Sequence, residues 1–207
     1  MRHIKELRLE EAAVIYDTYL VCHFPAEEVK PFFKIEEMWK VGGYEVLGLF
    51  EDETMIAYAF LTLCPGSKVV LLDYYAVLDA YRGGGIGTFF LDKMKEIYGN
   101  KGILALMIET EDIEFAENEE QVAERVRRDG FYARNGVIKT PFTSLVYDAN
   151  YRVWYLPAGE LLTEEYCRLE YDKIYQFMLS EEGYREHFKI TECRMDDTLA
   201  TTPCVIS

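Results

Sequence analysis

The stretch that decides the fold is LLDYYAVLDAYRGGGIGTFFLDKMKEIYG, residues 71–99. Its first part is apolar on both faces, the pattern of a central strand. Its last part, residues 88–99, is amphipathic with a helical period. Between them stand three successive glycines, Gly83, Gly84 and Gly85, and a fourth, Gly87. A glycine carries no Cβ to hold a ligand off the main chain. The amides at the start of a following helix, and its dipole, favour an anion. Strand, glycine loop and helix in this order predict a site for a phosphorylated ligand.

Spacing narrows the ligand. A P-loop needs a Lys followed by Ser or Thr after its last glycine, and the chain has none there. A dinucleotide fingerprint started at Gly83 needs Gly where Thr88 stands; started at Gly85 it needs Gly where Phe90 stands. An RxxGxG pattern is met by Arg82, Gly85 and Gly87. In that pattern the amides of residues 83–88 face a pyrophosphate, and Arg82 adds a charge-assisted contact.

Outward from this stretch, strand and helix signals alternate. A short first strand leads into a helix with Ala12, Ile15, Tyr16, Tyr19 and Leu20 at helical spacing, ended by Pro25. A second helix runs through residues 27–43 to Gly42 and Gly43. Residues 44–52 and 54–64 read as an antiparallel hairpin across an acidic turn. After the glycine-loop helix, residues 102–111 form a fifth strand. A helix follows, with Asn118 as N-cap and Gly136 as C-terminal stop. Residues 137–157 read as two strands around an Asp148-Ala149-Asn150 turn. Residues 157–190 form a helical, aromatic-rich extension, and 191–207 a loose tail. The whole is a single domain, a mixed sheet covered by helices.

Composition bounds the function. The chain has 207 residues, half of them apolar, and no run long enough to span a membrane. Its start lacks a secretory signal, so a cytoplasmic location is expected. Five scattered cysteines and three scattered histidines show no metal-ligand spacing, and no metal is expected. The net charge of −15 disfavours nucleic acid and permits a cationic substrate.

The segment VLDAYRGGGIGTFFL, residues 77–91, resembles motif A of the GNAT superfamily of acyl-CoA-dependent N-acyltransferases. Val77, Tyr81, Arg82, Gly85, Ile86, Gly87 and Thr88 match, while Asp79 replaces the usual proline, a departure expected to affect the turn alone. About 45 residues on, FYARNGV, residues 131–137, resembles motif B. The resemblance covers residues 1–156 and leaves the last fifty unexplained. It implies an α+β fold, in which a mostly antiparallel sheet has its parallel strands 4 and 5 splayed apart. It also implies acetyl-CoA in that gap: Ala76, Val77 and Leu78 pair with the pantetheine arm, and Arg82, Gly83, Gly84, Gly85, Ile86, Gly87 and Thr88 cradle the pyrophosphate.

The acceptor implied by the resemblance is a primary amine of a small molecule or peptide, expected to be cationic. Acetylation of a protein N-terminus or lysine, or a non-catalytic acetyl-CoA binder, are the alternatives. Tyr132 stands where the family often places the proton donor to the departing thiolate, and a phenol is protonated at neutral pH. For the base, Asp73 is the first candidate, as base or as substrate anchor, on the same strand face as Tyr75 by alternation. Glu109, Glu111 and a water chain are the others. Gly130 implies either close approach of the cofactor or tight packing of its helix on the sheet. Arg125, Arg127, Arg128 and Arg134 are read as ion-pair partners of nearby glutamates, with the 3′-phosphate of CoA as the alternative. The resemblance implies that the first two helices, around residues 23–39, and the last hairpin shape the acceptor site, and the extension covers it, packs on the sheet or forms a homodimer. The terminal CVIS fits a prenylation pattern but lacks a second membrane signal and is read as coincidence.

Overall fold

A computed structural model of the chain describes residues 1–26 and 28–192. Eight strands form one sheet: β1 (Arg2–Glu6), β2 (Tyr44–Glu51), β3 (Thr54–Thr62), β4 (Val69–Val77), β5 (Ala105–Glu111), β6 (Ile138–Val146), β7 (Ala149–Pro157) and β8 (Phe188–Glu192). Their order is β1-β2-β3-β4-β5-β7-β6-β8. Every pairing is antiparallel except β4 with β5. The helices are α1, a continuous run of Leu9–Ile15, a π-helical Tyr16–Leu20 and a last turn Val21–His23; then α2 (Phe32–Lys40), α3 (Ile86–Asn100), α4 (Glu119–Arg134), α5 (Glu164–Met178) and α6 (Glu181–His187). No helix among the described residues is long and apolar enough to cross a membrane.

The sheet is covered on both faces, as the doubly apolar β4 requires. On one face Phe90, Leu91, Met94 and Tyr98 of α3 and Tyr132 of α4 pack on Leu72, Leu106 and Ile108. On the other face α1 and α2 bury Ile15, Leu20, Ile35 and Met38 over Tyr58, Phe60 and Tyr74. Beside them α5 buries Cys167, Tyr171, Ile174 and Tyr175 over Leu71, Met107 and Phe142. Asn118 caps α4 by accepting from the Gln121 amide at 2.9 Å, as its sequence predicts.

Three expectations change. The last hairpin turns at Tyr147 and Asp148 rather than at Asp148–Asn150, with Tyr147 at φ +52°. The Tyr147 amide bonds the His187 carbonyl at 2.7 Å and the two rings stack at 4.4 Å, so a tertiary contact holds an unfavourable backbone. The extension is two helices, not one. Ser180 breaks it and caps α6 by accepting from the Gly183 amide. The extension then adds an edge strand: Phe188–Glu192 pairs with β6, so residues 191 and 192 lie in the sheet, not in a tail. The remainder of the expected tail, with CVIS, lies outside the described residues.

Candidate active site

β4 and β5 pair only from Val69↔Ala105 to Leu72↔Ile108. Beyond that they part, leaving the β5-facing edge of β4, Asp73 to Val77, without a strand partner among the described residues. The parting coincides with a β-bulge. Phe60 pairs with Tyr74 but Leu61 pairs with Leu72, so Asp73 is the extra residue. A bulge re-aims a side chain. Here it breaks the alternation that predicted Asp73 and Tyr75 on one face. Asp73 instead shares the face of Tyr74, under α1 and α2, while Tyr75 turns under α3 and donates to the Gly87 carbonyl at 2.6 Å.

A cleft of about 1880 Å³ runs from the glycine loop through this gap to α5. At one end Gly83 (φ +85°) and Gly85 (φ +72°) adopt left-handed backbone, and a Cβ at either would meet no heavy atom within 4 Å. Gly85 caps α3 without a side-chain bond, and the first helical amide bond is Phe89 to Gly85 at 3.0 Å. The Ile86, Gly87 and Thr88 amides are therefore open at the helix start. Gly87 is glycine for a different reason: its Cβ would lie 3.2 Å from the Phe131 ring and 3.3 Å from the Tyr75 hydroxyl. Ala76 and Val77 line the cleft, as expected, whereas Leu78 does not, its amide donating to the Ile56 carbonyl of β3 at 3.0 Å. Arg82 is exposed and folded back on its own turn, with Nε 3.2 Å from the Val77 carbonyl and Nη2 2.8 Å from Asp79. The Asp79 departure thus reaches past the turn, because it places a counter-charge on Arg82.

At the gap, Asp73 is closed off. Its Oδ1 accepts from Lys30 Nζ at 2.5 Å and its Oδ2 from the Tyr44 hydroxyl at 2.5 Å, and the side chain is 4% exposed. Burial opposes the Lys30 ammonium, but the charge and hydrogen bond of Asp73, together with Tyr74 and Glu109, outweigh it and hold the lysine above its ordinary pKa. Glu109 faces the same side. Its Oε1 accepts from the hydroxyls of Tyr171 and Tyr175, the latter at 2.6 Å, both from α5. No described residue bonds its Oε2, and the residue lines the cleft. Burial raises its pKa, while the two tyrosine bonds and Lys30 pull it back in part. Glu111 is different. Burial would raise its pKa, but bonds from Arg128 and Arg125 at 2.5 and 2.8 Å hold it below the usual carboxylate value. Those two arginines are thus ion-pair partners, as the acidic composition suggests.

The chain matches the GNAT acetyltransferase family model over residues 12–118, more than half its length. It belongs to the GNAT acetyltransferase family. A comparison with curated protein sequences finds no match. Among solved structures, a Bacteroides thetaiotaomicron protein described as a GNAT-family acetyltransferase superposes with TM-score 0.66 at 17% identity, over 86% of this chain and 99% of its own. The ribosomal-protein-S18-alanine N-acetyltransferase of Escherichia coli gives 0.52 at 19%, over 79% and 99%. A Salmonella typhimurium protein described as an acetyltransferase, solved with its cofactor acetyl-CoA, gives 0.54 at 18%, over 79% and 97%. At such identities the likeness is one of fold.

The acetyltransferase carries Tyr132 in the cleft wall, 7% exposed, its ring 5.3 Å from that of Phe131. No described residue hydrogen-bonds its hydroxyl. Burial pushes its pKa up to about 12, so it keeps its proton. A Cβ at Gly130 would meet only the Arg134 guanidinium, at 3.0 Å, so packing on the sheet is not why a glycine stands there. The open amides, the left-handed glycines and the unpaired β4 edge fit a pyrophosphate and an extended amide-bearing arm. Three partners were not singled out for the site from sequence. Lys30 is flanked by Pro31 and buried tyrosines, and a lysine in an otherwise apolar VKPFF run was the available signal. Tyr171 and Tyr175, spaced i and i+4 on α5, were legible only as core.

Proposed function

We propose that this acetyltransferase moves the acetyl group of acetyl-CoA to the primary amine of a small molecule or peptide. Acetyl-CoA, when bound, supplies an activated thioester carbonyl. The glycine-loop amides 83–88 and Arg82 hold its diphosphate, and the open edge at Ala76 and Val77 holds its arm. Glu109 takes the proton that the acceptor ammonium must lose before its nitrogen can attack. Its open Oε2, and a pKa that burial moves toward neutrality, suit that task better than Asp73, whose two oxygens are engaged. Tyr132 gives a proton or a hydrogen bond to the departing thiolate. The N–C bond forms as the C–S bond breaks, and the products are an N-acetylated amine and CoA.

The observation that carries this reading is that one cleft joins the open glycine-loop amides, the unpartnered Tyr132 hydroxyl and the open oxygen of Glu109. Of the three carboxylates at the gap, two are paired with cations, Asp73 with Lys30 and Glu111 with Arg125 and Arg128, and Glu109 alone has an oxygen that no described residue bonds. Their charge alone does not select a polycation. The test is binding and turnover. At a hundredfold excess over Kd, CoA adds about 2.7 kcal/mol to the native state. That corresponds to roughly 5–11 °C in Tm for a chain of this size. No shift at millimolar CoA refutes the reading. Release of free thiol on adding an amine completes it.

A further inference from the structure

Lys30 is a built feature of the cleft. Its carbonyl accepts from the Tyr16 hydroxyl at 2.8 Å, and its amide donates to the Tyr74 hydroxyl at 2.8 Å. Tyr74 in turn donates to the Glu28 carbonyl at 2.8 Å, fixing the loop on both sides of residue 29. The side chain reaches back to the bulge at Asp73. Asp73 is 4% exposed and Lys30 is 26% exposed, so the pair shows the cleft its ammonium and hides its carboxylate. An ammonium has three donors. One meets Asp73, and among the described residues no second oxygen lies in hydrogen-bonding range. The charge is retained, since Asp73 and the other groups around it hold the proton against burial.

Across the same cleft lies the open oxygen of Glu109, close enough for its charge and that of Lys30 to act on each other. The other charged group near this end is Glu28, whose field reaches Arg128 and Tyr151, while Glu111 is neutralised by Arg125 and Arg128. Lys30 and Glu109 thus form a split pair, a cation with free donors beside a carboxylate with a free oxygen. The complement of a split pair is a zwitterion.

We propose that Lys30 binds a carboxylate on the acceptor, so that the amine acetylated is that of a free amino acid. The proposal rests on the acetyltransferase reading above and names its substrate class. The acceptor's ammonium meets Glu109, which takes its proton, and its carboxylate takes the two free donors of Lys30. Asp73 already balances the Lys30 charge, so selection rests on its two free donors, which suit a carboxylate and which a second ammonium on the acceptor could not use.

The experiment compares matched probes. The twenty common amino acids, β-alanine and 4-aminobutyrate are each set beside their amide and their decarboxylated amine, with acetyl-CoA, and CoA thiol is measured. Melting temperature with CoA and each probe is recorded in parallel. The expected result is an amino acid favoured over its amide and its amine by at least about tenfold in kcat/KM, the scale of one hydrogen bond to a charged group. The ratio collapses to about two or less in Lys30→Met/Asp73→Asn, which removes both buried charges together, and is retained in Lys30→Arg. An acid-to-amine ratio at or below one in the wild type, or an unchanged ratio in the double variant, overturns the proposal. If no probe turns over, the melting arm decides. A shift given by an amino acid and not by its amine, and lost in the double variant, upholds it; the absence of any carboxylate-dependent shift overturns it. Failure of CoA itself to shift Tm refutes the acetyltransferase reading instead.

Discussion

Lys30→Met puts the reasoning about the cleft at most risk. Methionine keeps the length and most of the volume of the lysine stem and removes the charge. What remains is Asp73, 4% exposed, with one oxygen still bonded by Tyr44 and the other bare. Removing one partner of a buried ion pair costs about 3–5 kcal/mol, because an uncompensated charge stays behind. Lys30 is itself about a quarter exposed, so water can reach the vacated side and the loss falls near about 3 kcal/mol. At roughly 2–4 °C per kcal/mol in a chain of this size, Tm should drop by roughly 6–12 °C at pH 7. Lys30→Met/Asp73→Asn removes the stranded charge and should recover most of the loss. Thermal and urea unfolding followed by circular dichroism measure all three. If Lys30→Met melts within a degree of wild type, the pair is not a closed buried contact. The arguments that shield Asp73 and fix Lys30 then fail together.

Glu109→Gln keeps an acceptor for Tyr171 and Tyr175 and removes the base, so kcat/KM should fall by about 100- to 10,000-fold with the CoA-induced Tm shift intact; wild-type turnover would return the role to water. Tyr132→Phe should lower kcat at least about tenfold with little change in the KM for acetyl-CoA, the pattern of a contact made in the transition state. Removing both phenols in Tyr171→Phe/Tyr175→Phe withdraws the bonds that lower the Glu109 pKa, so the acidic limb of kcat/KM should move to higher pH; an unmoved limb means Glu109 is not the group that titrates. Gly87→Val drives a side chain into Phe131 and Tyr75 and should cost about 1–3 kcal/mol by overpacking. Gly84→Ala, whose Cβ meets only Ile86 at 4.0 Å, should leave Tm in place.

The glycine loop and the strand and helix that flank it were legible because their signals are local. Gly83 to Gly87 and Arg82 lie within one short segment, and the glycines state their own backbone requirement. The surroundings of Asp73 and Glu109 were not, because their geometry depends on pairings between distant residues. Period-2 alternation put Asp73 beside Tyr75, and nothing in LLDYYAVL announces the bulge; it exists because β3 registers differently on either side of Asp73. Glu109 and Glu111 look alike in LMIETE and, two apart in an unbroken register, share a face of the sheet, yet their partners come from different helices. One meets phenols from α5, the other guanidinium groups from α4. The break at Ser180 and strand β8 were missed because a run of aromatics reads as helix or strand with equal ease, and the β6 edge decides.

The position of the extension follows from the same division. The family model ends at residue 118, yet Tyr132, Tyr171 and Tyr175 lie beyond it. The matched part supplies the cradle, the gap between β4 and β5, and the carboxylates. The unmatched part decides which carboxylate stays open. Tyr175 stacks on Phe188 of β8 at 4.1 Å, and β8 is held to β6 by five residue pairs. The two phenols on Glu109 are thereby anchored to the sheet through the last strand. An extension acting only as a cover would need apolar contacts on Leu71, Met107 and Phe142 and nothing more. Two hydroxyls on one oxygen of a buried carboxylate go beyond that need: they hold Oε1, leave Oε2 without a described partner, and temper the rise in pKa that burial imposes. The apolar face that α5 carries is spent on its own sheet. The extension therefore supplies side chains to the cleft, and under the proposed function its sequence, more than the glycine loop, should track the choice of amine.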